Sequence, residues 1–232
     1  MSTLSGGPNI VTNGLVLYLD AANPRSYVSG STAWNDLSTF RNNGTLVNGP
    51  AYSNEFNGNL VFDGSNDYAD FPFNGRSTTV NTVEMFVRWR SNNSVGMFIG
   101  FLSYDIYTPG GRLGFNTAAS DVYGIPAARV TALNLIGTSN SNWHQYVFVF
   151  TNQVQNNKIY IDGNQETLTQ QQGTTNLTST RTFSSTLRLS GWVNSTDYPL
   201  PADYSSVRIY NRELNQQEIL QNYNATKGRF GL

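Results

Sequence analysis

The sequence contains no cysteine, which excludes disulfide frameworks and thiolate metal sites. It has one histidine, His144, so a histidine cluster for zinc is excluded as well. Charged residues make up 12% of the 232 residues, against about 25% in an ordinary soluble domain. With a net charge of −1 there is no electrostatic case for nucleic acid or an anionic membrane as partner. No apolar run has spanning length, and the N-terminus lacks the basic-then-apolar pattern of a secretory signal. P-loop, dinucleotide and nucleophile-elbow patterns are also missing.

What is present is apolar, aromatic and amide-rich. Hydrophobic residues reach 38% and aromatics 13%, enough for a substantial core held by packing alone. Residues 143–163 (WHQYVFVFTNQVQNNKIYIDG) read as two strands around a polar connector at 151–157. Tyr146, Phe148 and Phe150 point one way and Val147 and Val149 the other, the period of a strand. Further strands are expected at 14–20, 59–63, 80–90, 95–103, 111–116, 186–190 and 205–211, with one more at 128–135. On 80–90, Val83, Met85, Val87 and Trp89 share a face; Glu84, Phe86, Arg88 and Arg90 share the other, which predicts a solvated or polar-covered surface. One helix is signalled over 216–226. Asn215 and Glu218 have capping-box spacing, Leu214 and Ile219 the staple positions, and Ile219, Leu220 and Tyr223 the buried stripe. Many short strands with turn punctuation and one short C-terminal helix predict an all-β fold, a two-sheet antiparallel jelly-roll sandwich. Residues 1–12, broken by Gly6-Gly7-Pro8, are expected to form an arm, and residues 13–232 a single domain.

The runs GLVLYLDA, WNDLSTFRNNGTL, LVFDGSNDYADF, WHQYVFVF, NKIYIDG and VRIYNRELNQQEI, in that order, resemble a LamG-like jelly roll of the concanavalin A-like lectin and glucanase superfamily. The resemblance runs from Gly14 to the end of the chain. The particular form, with EILQNYNATKGRFGL at the end, is similar to modules in virion proteins of tailed phages, notably cyanophages. It implies a virion component assembled in a host cytoplasm, which agrees with the absent signal peptide. Its implied partners are other virion proteins. The low charge, with little repulsion to keep copies apart, predicts a homo-oligomer, as a trimer or a lattice-bound copy.

Glycosidases of this superfamily carry carboxylates spaced i, i+2 or i+3 on one strand, because hydrolysis needs an acid and a base or nucleophile flanking the bond. No such cluster occurs: Glu84 stands alone on its strand, and Asp63, Asp67 and Asp70 are spread across a turn. His144, beside Trp143 at the start of a core strand, is expected to be a structural donor. Relatives often bind calcium, commonly with an acid two positions before the VRIYN segment. Here that position is Ser205, which leaves Asp20, the Gly64 carbonyl and Asp203 as weak ligand candidates. For sugar or partner contact the usable residues are loop aromatics among amides: Tyr104, Tyr107, Tyr123, Trp192 and Tyr198. The expected function is a non-enzymatic phage structural protein displayed on capsid or tail. The alternative is a lectin-like module that binds host glycan, and a glycoside hydrolase is the least favoured reading.

Overall fold

Alternation at period two places one side of each long strand in an apolar core, and two sheets close over it. The computed structural model describes residues 8–75, 79–91, 95–102, 104–117, 120–180 and 186–232. Strands are numbered in chain order. The first sheet contains β1 (Leu15–Asp20), β4 (Ala51–Ser53), β5 (Asn59–Phe62), β7 (Asn81–Trp89), β12 (Trp143–Phe150), β13 (Lys158–Ile161), β14 (Asn164–Gln165) and β17 (Ala202–Tyr210). The second contains β2 (Ala33–Trp34), β3 (Gly44–Val47), β6 (Tyr68–Pro72), β8 (Met97–Gly100), β9 (Asp105–Tyr107), β10 (Leu113–Asn116), β11 (Val122–Ile125), β15 (Thr169–Gln172) and β16 (Thr186–Leu189). The eight-stranded sheet runs β14-β13-β12-β7-β17-β5-β4, with β1 also pairing β17. The nine-stranded sheet runs β15-β11-β10-β9-β8-β16-β6-β3-β2. The strand ladders are antiparallel throughout, so the predicted sandwich is the observed fold.

The 143–163 hairpin lies inside the first sheet, with β12 between β13 and β7. Asp162 and Gly163 both take positive φ (51° and 78°), the turn that joins β13 to β14. The inter-sheet core takes Val83, Met85, Val87 and Trp89 from β7, and Tyr146, Phe148 and Phe150 from β12.

The opposite face of β7 is neither solvated nor purely polar. Helix α2 (Gln216–Thr226) and the turn after it (Lys227–Phe230) cover it. Phe86, Trp143 and Phe230 form one apolar cluster there, and Val147, Val149, Tyr210, Leu214 and Ile219 form another. Between them Glu84 is paired with Arg208 at 2.9 Å, and both are almost fully buried. The capping box is formed: Asn215 Oδ1 accepts from Glu218 N–H at 3.0 Å, and Glu218 Oε2 accepts from Asn215 N–H at 3.0 Å. The buried stripe of α2 is rotated from the expected one. Ile219, Asn222 and Thr226 face inward, while Leu220 is exposed. The sheet offers charges at this point, and an amide satisfies them where a leucine cannot: Asn222 Nδ2 donates to Glu84 Oε2 at 2.6 Å.

The strand expected at 128–135 is instead a short helix, α1 (Ala127–Ala132). It starts straight after Pro126 with two alanines and an arginine, all strong helix formers, and Val130 is its only buried residue. The polar loop expected at 170–182 starts with the edge strand β15, paired to β11.

Candidate functional site

Residues that alternate with the core residues on β8–β11 face away from the core. On β9, Ile106 enters it and Tyr107 does not; on β11, Ile125 enters it and Val122 does not. Met97, Tyr107 and Val122 thus make a separate apolar floor, against which Trp192 and Tyr198 pack. The latter two come from the segment between β16 and β17. Met97 N–H donates to Tyr198 O at 3.0 Å and Gly191 N–H to Met97 O at 3.2 Å, which lays this segment along β8. Gly100 permits the approach, because a Cβ there would sit 2.2 Å from Gly191 O. Ser190 closes the segment, its hydroxyl donating to Leu200 O at 3.1 Å and accepting from Leu200 N–H at 3.0 Å.

The result is a cleft of about 380 Å³ lined by Met97, Leu102, Tyr104, Asp105, Tyr107, Asn116, Thr117, Ser120, Trp192 and Tyr198. Tyr107 meets Tyr198 edge to face at 5.7 Å, and Tyr198 meets Trp192 at 6.4 Å. Four of the five aromatics singled out in the sequence therefore converge. Tyr104 and Tyr107 differ from expectation in being buried, Tyr107 on strand β9 and Tyr104 with its ring against Phe150 and its hydroxyl donating to Ser179 O at 3.3 Å. Tyr123 is not part of the cleft: it lies opposite Phe115 on β11, turned to the core side, because a one-residue step along a strand changes face. Tyr104, Ser120, Ser190 and Tyr198 all have positive φ (77°, 61°, 59° and 65°). Non-glycine residues in that region store strain, which tends to gather at functional sites.

The polar groups are few and specific. Asp105 is 3% exposed. Its Oδ1 accepts from Phe101 N–H at 2.5 Å, while Oδ2 accepts nothing from another described residue. Burial pushes its carboxyl up to about 7, against the lowering effect of backbone hydrogen bonds from Phe101 and from its own amide. Asn116 Nδ2 donates to Asp121 Oδ1 at 3.0 Å, leaving Asn116 Oδ1 for another donor. Asp121 is itself occupied, accepting from Thr117 N–H at 2.7 Å and from the Thr117 hydroxyl. Trp192 Nε1 is a buried donor with no acceptor among the described residues. Sequence reading missed Asp105; its signal, a lone acid at a strand start between two tyrosines, becomes meaningful only once the 190–200 segment covers β8.

The calcium candidates do not converge. Asp20 Oδ1 accepts from Arg229 Nη1 at 2.8 Å and Ala22 N–H at 3.0 Å. Asp203 is fully buried between Arg88 Nε at 2.7 Å and Arg90 Nε at 2.9 Å. Burial raises its carboxyl pKa even so, opposed by the two guanidiniums. Gly64 is a turn glycine at φ 78°, packed so closely on Pro201 that a Cβ would lie 2.7 Å away. Among the described residues no group of three or more His, Asp or Glu could hold a metal ion. His144 is a structural donor or acceptor, its Nδ1 2.7 Å from Asp162 Oδ2 and its Nε2 3.2 Å from Asn134 O.

Residues 63–220 match the family described as the concanavalin A-like lectin/glucanases superfamily, and the chain belongs to it. No curated protein matches it in sequence. Among solved structures it is similar to Trypanosoma rangeli sialidase in complex with sialic acid, at TM-score 0.67 and 14% identity over 96% of this chain and 35% of that one. It is also similar to the binding domain of Paraclostridial Mosquitocidal Protein 1, at 0.62 and 14% over 91% and 52%. The botulinum neurotoxin serotype D binding domain gives 0.60 and 12% over 90% and 51%. The chain thus spans about a third to a half of these solved chains, and the likeness is one of fold.

Proposed function

We propose that this chain is a non-enzymatic glycan-binding module and that the Trp192–Tyr198 cleft is its binding site. The observation that carries the reading is the pairing of an aromatic wall with a buried carboxyl whose Oδ2 accepts nothing from another described residue. Aromatic faces stack on the apolar face of a sugar ring, and a carboxylate and an amide oxygen accept its hydroxyl protons. The non-enzymatic part rests on the single carboxyl that lines the cleft, Asp105; Asp121 nearby is held by Asn116 and Thr117. Glycoside hydrolysis by the usual route needs two working carboxyls. The setting we propose is a phage particle, with the module displayed among other virion proteins as a homo-oligomer. Its support is the sequence resemblance and a surface with few charges to keep copies apart.

A glycan array probed with the full chain tests the binding reading, followed by Trp192→Ala. Array binding that the substitution abolishes supports it; an array without hits, or hits indifferent to Trp192, overturns it. Mass spectrometry and microscopy of intact particles test the setting.

A further inference from the structure

Among the described residues that line the cleft one side chain is charged, and it is an acid. Met97, Leu102, Tyr104, Tyr107, Trp192 and Tyr198 supply apolar and phenolic surface, and Asn116, Thr117 and Ser120 supply neutral polar atoms. Among the described residues lining it there is no lysine or arginine. The nearby guanidinium, Arg188, is committed elsewhere: it donates to Asp70 Oδ1 and Oδ2 at 2.7 and 2.8 Å, and to Trp192 O and Ser195 O at 3.1 and 2.7 Å. It therefore faces the back of the 190–198 segment.

We propose that the cleft selects uncharged pyranose units and rejects acidic sugars, with Asp105 as the residue that sets this preference. The proposal rests on the glycan-binding reading and names its ligand class. A neutral sugar brings hydroxyl protons to Asp105 Oδ2 and Asn116 Oδ1, both acceptors without a described donor. A uronic or sialic acid brings a second carboxylate into a site with no cation to receive it. In a partly buried cleft like charges repel with little screening by salt. The discrimination depends on the ionisation of Asp105, which burial delays to about pH 7. The groups around it do not offset this: Asp121 lies across β10 and is held by Asn116 and Thr117, Tyr104 and Tyr107 are neutral phenols, and Arg188 is bound to Asp70.

The test compares sugars that differ only in this charge: methyl glucoside with methyl glucuronide, methyl galactoside with methyl galacturonide, and N-acetylneuraminic acid as a further acid. Trp34, Trp89 and Trp143 are fully buried, so quenching of exposed tryptophan by acrylamide reports on Trp192. At pH 8.5 at least one neutral sugar should protect Trp192 and bind at least tenfold tighter than its uronate. Asp105→Asn should narrow that ratio to threefold or less. The wild-type chain at pH 5.5, where Asp105 is protonated and the uronates stay ionised, should narrow it likewise, and this arm needs no variant to fold. If acidic sugars bind at the cleft as tightly as neutral ones at pH 8.5, and Trp192→Ala removes that binding, the charge preference is overturned and the glycan module stands. If no sugar protects Trp192, both readings are overturned.

Discussion

Arg188 on β16 holds Asp70 on β6 through two nearly parallel hydrogen bonds, Nε to Oδ1 at 2.7 Å and Nη2 to Oδ2 at 2.8 Å. The same guanidinium stacks over the Tyr68 ring at 3.7 Å, and its third nitrogen donates to Trp192 O and Ser195 O. One side chain thereby ties the strand ladder to the segment that carries both cleft aromatics.

That arrangement makes Arg188 a positioning residue for the cleft. Lysine keeps the charge but cannot form the fork. Arg188→Lys is expected to lower unfolding stability by about 2 kcal/mol, the scale of hydrogen bonds to charged groups. It should also raise acrylamide quenching of Trp192, because the main-chain carbonyls of its segment lose their donor. Urea melts and quenching on the same samples check this; a stability loss with unchanged quenching would mean that Arg188 braces the sheet alone.

Asp105 gives the protein a pH signature of known sign. Its folded pKa, about 7, lies above the unfolded value of 3.8. The folded state then binds more protons than the unfolded state between those values, and stability falls as pH rises through that window. Three units correspond to roughly 4 kcal/mol at most, with a plateau above pH 7. Asp203 and Asp67, also raised, act in the same direction. Glu218, lowered chiefly by Arg212, acts oppositely and only in more acid solution. The clean measurement is the difference between wild type and Asp105→Asn across pH 4–8. It should slope by Asp105's share alone, and a flat difference refutes the assignment.

Removal of divalent ions should leave the fold intact. A metal that binds the native state alone would raise its melting point by mass action. Here Asp203 is neutralised by Arg88 and Arg90, and Asp20 is engaged by Arg229. Excess EDTA is therefore expected to shift thermal melting by less than about 1 °C. A larger drop, reversed by calcium, would point to a site built from other oxygens.

The long strands and the capped helix were legible because each pattern is local. β7 and β12 alternate over eight or more residues, and Asn215 and Glu218 need only each other. The short strands β2, β4, β14 and β15 were not, since two to four residues are too few to show a period. Residues 128–135 misled because Val130 and Leu135 fit a strand as well as a helix, and Pro126 decides between them. The cleft was half legible: aromatics in loops mark it by type. Their convergence depends on β16 lying beside β8, a long-range pairing that no local run encodes. The same reason hid Asp105, and placed Asn222 where the helical period suggested Leu220.

Of the arm expected over residues 1–12, residues 1–7 lie outside the described residues, and Val11 is 8% exposed and packs with Tyr210, Leu214 and Ile219. Its N–H donates to Asn222 Oδ1 at 2.8 Å, and its carbonyl accepts from the Tyr210 hydroxyl at 3.1 Å. Asn222 in turn donates to Glu84 Oε2, and Glu84 Oε1 accepts from Arg208 and from Gln145 Nε2 at 3.0 Å. Val11 thus closes a buried polar network, and such networks are stable only when every member is satisfied. Deletion of residues 1–12 leaves Asn222 Oδ1 and the Tyr210 hydroxyl without these partners and exposes the apolar patch around them. The expected loss is about 2–4 kcal/mol, from unsatisfied polar groups and one buried valine. Deletion of residues 1–8 keeps all these contacts and should change stability by less than about 0.5 kcal/mol. Guanidinium melts of the two truncations against the full chain decide the matter. Equal stability of both would mean that water replaces Val11 without penalty, and that the sandwich is complete from Gly14 onward.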